Sequence, residues 1–207
     1  MEDQLRRSAF GDSPETPVWS TLPNGSARER WLAAVVLGGQ GHYAAAATVL
    51  GALLHDRDRV VASLAASTFA SHRRQLGGHA VARGLDARAL ATAPTAGAPD
   101  RDGVDAAGAR ADALLGLAAD AIGAGRTGEA RRLHALVEPL CWRTEVRRGW
   151  VAAEIELAEG RAEAAIAPAV RAVAASASAG AMAAPAFPPA SSISAASHPW
   201  RTSVRQP

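Results

Sequence analysis

Apolar residues recur at intervals of three and four from about Ala27 to Ala174, which is the spacing of one face of an α-helix. In the segment ADALLGLAADAI, for example, Leu114, Leu117 and Ala118 follow this spacing. Aromatic residues make up only 4% of the chain, so much of its 48% apolar content is alanine, the strongest helix former. Residues that favour strands are scarce. The pattern therefore predicts an all-α protein.

The limits of this pattern divide the chain into three parts. Residues 1–27 contain SPETP and LPNGS, turn formers without helical spacing, which predict an irregular N-terminal arm. Residues 28–174 form the predicted helical repeat domain, with a loop insertion at residues 94–108 that includes PTAGAPDRDG. Residues 175–207 are rich in Ala, Ser and Pro and contain no acidic residue, so we expect a disordered tail.

A motif in which glycine precedes alanine by five residues recurs in the helical domain. It occurs as Gly41–Ala46, Gly125–Ala130 and Gly160–Ala165, and a weaker copy is Gln75–Ala80. The alanines lie 34, 50 and 35 residues apart, and the longest interval is one period plus about the length of the loop insertion. A small residue stands twelve positions before each alanine: Ala34, Thr68, Ala118 and Ala153. A period near 34 with two small positions predicts helix–turn–helix repeats.

This pattern resembles tetratricopeptide-type repeats over roughly residues 28 to 174, arranged as four hairpins. The chain is also similar to an uncharacterised group of actinobacterial helical proteins. The resemblance implies an α-solenoid, in which the first helix of each hairpin lines a concave groove that binds a peptide or protein. We therefore expect a non-enzymatic protein-protein interaction module that acts as a scaffold.

The resemblance also implies which residues face the groove. They include Trp31, Val35, Phe69, His72, Asp112, Ala119, Arg147, Trp150 and Glu154. Arg147, Trp150 and Glu154 share one helix face, and an arginine beside a tryptophan suits an acidic or C-terminal peptide. In the alternative interpretation, Trp31 and Trp150 are core residues at the two ends of the array.

The sequence GAGRTG at residues 123–128 matches the G-x-G-x-x-G fingerprint of dinucleotide sites. That fingerprint needs a buried strand before it, whereas the residues upstream have helical spacing. Glu129 also stands where a phosphate-binding loop needs lysine. We interpret GAGRTG as a hairpin turn in which Gly125 adopts the left-handed conformation. A nucleotide-dependent enzyme remains the least favoured alternative.

Other chemistry has little support, so we expect no catalytic, cofactor-binding or metal-binding residues. DRDGVD, residues 100–105, lacks the order of a calcium loop and is interpreted as a solvated turn, with Asp105 capping the next helix. The six histidines have no metal-site spacing, and no G-x-S-x-G nucleophile motif occurs. The single cysteine, Cys141, fits a reducing cytoplasm.

Two basic clusters offer a second function, nucleic-acid binding. One is SHRRQLGGHAVARGLDAR, whose charges we expect on a solvated face. The other is CWRTEVRRGW, where Arg143, Arg147 and Arg148 alternate with tryptophan and suit phosphates and bases. The net charge of +2 is too small to favour nucleic acid by itself.

Two further expectations concern membrane insertion and self-association. The segment from Trp31 to Leu54 contains no Asp, Glu, Lys or Arg, but GGQGH interrupts it, so we predict a buried hairpin rather than a membrane helix. The last hairpin has no polar capping helix after it, which predicts self-association through that hairpin.

Overall fold

The computed structural model describes residues 1–11, 18–19 and 21–179. Within these ranges the regular secondary structure is entirely helical, which confirms the predicted all-α class. The helices are α1 (Glu2–Phe10), α2 (Thr21–Asn24), α3 (Ala27–Gly39), α4 (Tyr43–Leu53), α5 (Arg59–Gln75), α6 (His79–Thr92), α7 (Ala106–Gly123), α8 (Thr127–Ala135), α9 (Trp142–Ala158) and α10 (Ala162–Ser178).

Helices α3 to α10 form four consecutive hairpins: α3/α4, α5/α6, α7/α8 and α9/α10. The first helices of successive hairpins pack side by side, α3 on α5, α5 on α7 and α7 on α9. We call α3, α5, α7 and α9 the first-helix layer. The second helix of each of the first three hairpins packs on the first helix of the next hairpin.

All four hairpin turns contain a glycine with positive φ: Gly41, Gly77, Gly125 and Gly160. Such a backbone favours glycine because a Cβ is strained there. The second helix begins two residues later in every hairpin, and a buried alanine follows the glycine by five residues: Ala46, Ala82, Ala130 and Ala165. GAGRTG is one of these turns, and a helix, α7, precedes it.

The second repeat corrects the predicted register by two residues. Gln75 is the last residue of α5 and Ala80 is exposed, whereas Gly77 makes the turn and Ala82 is buried. The small residue twelve positions before Ala82 is Ala70 rather than the predicted Thr68, and Ala70 is fully buried. The predicted turn at Gln75 was wrong, because the residue with positive φ in this turn is Gly77.

Side chains cap the first three helices of the first-helix layer. Ser26 and Glu29 form a reciprocal capping box at the start of α3. The carboxylate of Asp58 accepts from two backbone N–H groups at the start of α5, and that of Asp105 accepts from Gly108 N at 2.8 Å. The predicted cap at Asp105 is confirmed. These bonds satisfy backbone donors that a helix start leaves without partners.

The segment from Trp31 to Leu54 forms α3, the Gly41 turn and α4, as the interruption by GGQGH predicted. In the described part of the chain, no helix combines the length and apolar character needed to cross a membrane.

The ends of the domain differ from the sequence interpretation. The arm predicted to be irregular contains α1, and Leu5 of this helix lies in the core with α3 and α4. At the other end, α10 continues to Ser178, four residues past the predicted boundary. The remaining residues of the predicted tail, 180–207, lie outside the described residues.

Candidate functional site

Trp31, one of the predicted groove residues, lies in the core. Its side chain is only 1% exposed, and its indole N–H donates to the Thr68 hydroxyl at 3.0 Å. The ring of Phe10 in α1 packs against it at 6.0 Å between centroids. Trp31 is therefore covered by the N-terminal helix of the same chain and is not exposed as predicted.

The helix α1 is held against this surface by charge as well as by apolar contact. The guanidinium of Arg6 donates to both oxygens of Asp100, at 2.9 Å each, and to Asp102 at 2.8 Å. On its own helix, Arg6 also pairs with Glu2 at 2.9 Å. Beside it, the guanidinium of Arg143 lies 5.4 Å from the Phe10 ring centroid. The contact surface of α1 thus includes α3, the loop before α7 and the start of α9.

This contact corrects the interpretation of DRDGVD as a solvated turn. Asp100 and Asp102 are partly buried and bind Arg6. Burial alone would raise the pKa of Asp100, but hydrogen bonds from Arg6 and from the backbone of Val104 and Asp102 outweigh it and lower the pKa to about 2. The indole of Trp142 donates to Asp102 at 3.1 Å and fixes the loop from the other side.

Arg147 and Asp112 belong to a set of charged side chains enclosed between α5, α6, α7 and α9, and Glu154 lies half-buried beside them. We call this set the buried charge cluster; its members are Arg74, Asp86, Asp112, Asp120, Arg143, Arg147 and Glu154.

The first half of the cluster surrounds Asp112 of α7. Arg143 donates to Asp112 at 2.8 Å, and Arg147 pairs with the other oxygen of the same carboxylate. Arg143 also donates to the carbonyls of Asp102 and Gly103 at 2.8 and 3.0 Å. The side chain of Arg147 is only 14% exposed. We expected this guanidinium to bind a carboxylate of a partner. It is instead paired with a carboxylate of this chain.

The second half of the cluster surrounds Arg74 of α5. Its guanidinium pairs with Asp86 at 2.5 Å and Asp120 at 2.8 Å, and donates to the Gly116 carbonyl at 3.2 Å. Both carboxylates are almost completely buried. A Cβ at Gly116 would overlap the carboxylate of Asp86, so the glycine leaves the space that the ion pair occupies. The cluster thereby connects the second and third hairpins.

Two acids of the cluster hold protons more tightly than usual. Burial raises the pKa of Asp86 to about 7, although the charge of Arg74 acts in the opposite direction. Burial likewise raises the pKa of Glu154 to about 7, again against the charge of Arg74. The named members include four acids and three arginines, so protonation of one acid balances their charge.

The stability of the Glu154→Gln variant relative to the wild type is expected to rise with pH. The pKa of Glu154 in the folded protein is about 7, above the ordinary value of 4.5. The contribution of this carboxyl group to stability is therefore fully present below pH 4.5 and is lost as the pH rises through 7. Glutamine does not ionise. We expect the difference in unfolding free energy to shift in favour of the variant by on the order of 1–3 kcal/mol between about pH 5 and 8.

Urea denaturation across this pH range measures the difference. Glu145→Gln, at an exposed position on the same helix, is the matched control for the loss of a carboxylate. A difference for Glu154→Gln that does not change with pH would contradict the burial of the Glu154 carboxyl group.

The five other predicted groove residues have different surroundings. Val35 is partly buried against the core, and Ala119 is buried. His72 is buried beside Tyr43, at 5.2 Å between ring centroids, and its burial lowers its pKa to about 4. Phe69 is half-buried under the guanidinium of Arg73, at 5.0 Å. Trp150 is also half-buried. Phe69 and Trp150 therefore keep accessible surface in the first-helix layer, and their role in binding stays a prediction.

The basic clusters also look different in the structure. Arg74 was assigned to a solvated face, but it lies in the buried charge cluster. Arg143 and Arg147 of the second cluster bind Asp112. One signal in the sequence pointed to these contacts: Asp112 and Asp120 stand among the apolar residues of the buried face of α7. A carboxylate on a buried helix face needs a partner for its charge.

In the described ranges, no group of three or more His, Cys, Asp or Glu side chains is placed to hold a metal ion. Comparisons of this chain with protein-family models, with curated proteins and with solved structures found no match. We therefore infer its function from the contacts described above.

Proposed function

We propose that this chain is a non-catalytic protein-interaction module with tetratricopeptide-like hairpins. It binds a helical segment of a protein partner on the concave side formed by the first-helix layer. Helical arrays of this kind present an extended surface to their ligands. In such a module the charged side chains of the layer maintain its shape, and the ligand is recognised by the surface around them.

The single observation that carries this proposal is the contact made by α1. A nine-residue amphipathic helix packs on α3 next to Trp31, and this contact supports a binding surface for helices at this place. It is attached by Arg6, which binds two aspartates, by Phe10, which packs between Trp31 and Arg143, and by Leu5, which lies in the core. An apolar anchor surrounded by charged contacts is the usual composition of a helix-in-groove interface.

The contact with α1 also suggests the chemistry of the partner. Arg6 and Phe10 are four residues apart and share one face of their helix. The partner segment would be a helix with a basic residue followed four positions later by an aromatic residue. This proposal replaces the acidic peptide expected from Arg147, because that guanidinium is paired with Asp112.

Nucleic-acid binding is less well supported than protein binding. Its strongest sequence argument was the cluster CWRTEVRRGW, and two of the three arginines in that cluster are paired with Asp112. An arginine that is buried against a carboxylate is not available to a phosphate.

Binding of an α1 peptide in trans tests the proposed function. The double variant Arg6→Glu, Phe10→Ala should release α1 from the first-helix layer and leave the binding surface intact. Fluorescence anisotropy with a labelled peptide of residues 1–11 should show binding at least ten-fold tighter than to the wild type. The attached α1 of the wild type competes at a high effective concentration and keeps the surface occupied.

Arg7→Glu is the matched control for this experiment, because Arg7 neighbours Arg6 on the same helix but is exposed. It should bind the peptide as weakly as the wild type. Circular dichroism should confirm that the double variant retains its helices. A folded double variant that binds the peptide no better than the wild type would count against the proposed function.

A further inference from the structure

A surface groove of about 430 Å³ lies between the beginning of α9 and the end of α10, at one end of the fourth hairpin. The residues that line it include Leu140, Cys141, Trp142 and Glu145 on one side and Ala175 and Ala179 on the other. Leu140 is 47% exposed, and Trp142 is half-buried. The groove therefore presents an aliphatic and an aromatic side chain to whatever occupies it.

The corresponding places in the first two hairpins are closed by contacts between the first helix and the end of the second. Arg30, near the beginning of α3, pairs with Asp56, which follows α4, at 3.9 Å. Arg59, the first residue of α5, donates to the carbonyl of Thr92 at the end of α6, at 3.0 Å. In the fourth hairpin the groove lies at this place, and Ala179, the last described residue, is part of its wall. The chain therefore leaves the described structure at the edge of the groove.

The sequence at the end of α10 resembles that of a hairpin turn. The C-cap residues of α3, α5, α7 and α9 are each followed directly by the positive-φ glycine of their turn. The C-cap residue of α10 is Ala179, and the next residue in the sequence is Gly180. A glycine at this place favours the left-handed conformation that reverses the chain. A reversal here directs the following residues back towards the end of α10, where the groove lies.

The segment that follows Gly180 has a composition that suits this groove. Its sequence is AMAAPAFPP, residues 181–189, with Met182 and Phe187 as its large apolar side chains and three prolines that restrict its backbone. Proline-rich segments bind grooves lined by aromatic side chains, because their restricted backbone loses little conformational entropy on binding. Residues 180–207 contain no acidic residue, so the exposed carboxylate of Glu145 in the groove does not repel them.

We propose that residues 181–189 bind the groove of their own chain, with Met182 and Phe187 packed against Leu140 and Trp142. The segment then covers the apolar end of the last hairpin. The inference does not depend on the proposed function, because the groove and its occupant belong to the same chain and no outside partner takes part.

The length of the connection favours the segment of the same chain over other occupants. Phe187 follows Ala179 by eight residues, which span up to about 28 Å when extended, so the segment reaches the groove easily. A short covalent connection gives the segment an effective concentration on the order of millimolar. Even a weak contact is then occupied most of the time.

Alkylation of Cys141 by iodoacetamide tests the proposal, because Cys141 lines the groove and is the single cysteine of the chain. In the full chain the bound segment should slow the reaction. The double variant Met182→Ala, Phe187→Ala should react faster by on the order of ten-fold, since the thiol is then no longer covered. The matched control is Ile193→Ala, Trp200→Ala, which removes two large apolar side chains farther along the chain and should leave the rate unchanged. Equal rates in the wild type and in Met182→Ala, Phe187→Ala overturn the proposal.

A free peptide of residues 180–190 distinguishes a bound segment from a change in the fold. At millimolar concentration it should restore the protection of Cys141 in the Met182→Ala, Phe187→Ala variant, and a peptide with the same two alanines should not. A thiol that stays reactive in the presence of the unsubstituted peptide overturns the proposal. The protection in the wild type should also be independent of protein concentration. Protection that weakens on dilution assigns the groove to the segment of a second copy and likewise overturns the proposal.

Discussion

Replacing Arg74 with alanine is expected to lower the free energy of unfolding by about 3–5 kcal/mol. This guanidinium is the shared partner of Asp86 and Asp120, and both carboxylates are almost completely buried. Without Arg74, these two acids remain close together in the interior, and no other cation lies as near to both of them. The cost of an uncompensated buried charge exceeds the value of the ion pair itself, which explains the size of the effect. Chemical denaturation at neutral pH measures the loss.

Arg73→Ala is the control for Arg74→Ala. Arg73 is adjacent in sequence and exposed, and its guanidinium lies over the ring of Phe69 at 5.0 Å. Its removal should cost no more than about 1 kcal/mol, the value of an exposed cation–π contact. Equal losses for the two variants would show that Arg74 does not hold the second and third hairpins together.

Replacing Trp31 with alanine is expected to destabilise the first half of the protein by about 3–5 kcal/mol, because a large buried ring leaves a cavity that the surroundings fill only in part. The same substitution removes the ring against which Phe10 packs. It should therefore detach α1, and the binding of the α1 peptide in trans should be lost as well. Thermal unfolding followed by circular dichroism measures the first effect.

Trp19→Ala provides the comparison for Trp31→Ala, since Trp19 is 51% exposed and its ring lies 5.4 Å from that of His42. The melting temperature of this variant should stay close to that of the wild type. If Trp31→Ala is as mild as Trp19→Ala, then Trp31 is not the anchor of the first hairpin.

The hairpin architecture could be predicted from the sequence because each turn imposes a local requirement. A positive φ favours glycine, and the crossing of two helices favours a small residue at a fixed distance from it. Three of the four glycines were identified in this way. Gly77 was not predicted because Gln75 stands at the expected repeat spacing, although Gln75 does not form the turn.

The candidate site was harder to predict because its contacts join distant parts of the chain. Arg74 meets Asp120 across 46 residues, and Arg6 meets Asp100 across 94. A run of arginines has the same sequence pattern whether it is solvated or buried against acids, so the partner decides its role. The helix α1 was not predicted because nine residues contain too few turns of helical spacing to distinguish a helix from an irregular arm.

The indole N–H resonance of Trp31 offers the most direct test of the claim that the first-helix layer binds a helical segment beside this residue. It can be assigned in ¹H–¹⁵N spectra by its absence from the Trp31→Phe variant. In the Arg6→Glu, Phe10→Ala variant we expect the resonance to move from its wild-type position, because Phe10 no longer packs on the ring. It should return towards that position as the peptide of residues 1–11 is added, while the resonance of Trp150 stays in place. A Trp31 resonance that responds to neither the double substitution nor the peptide would contradict the claim.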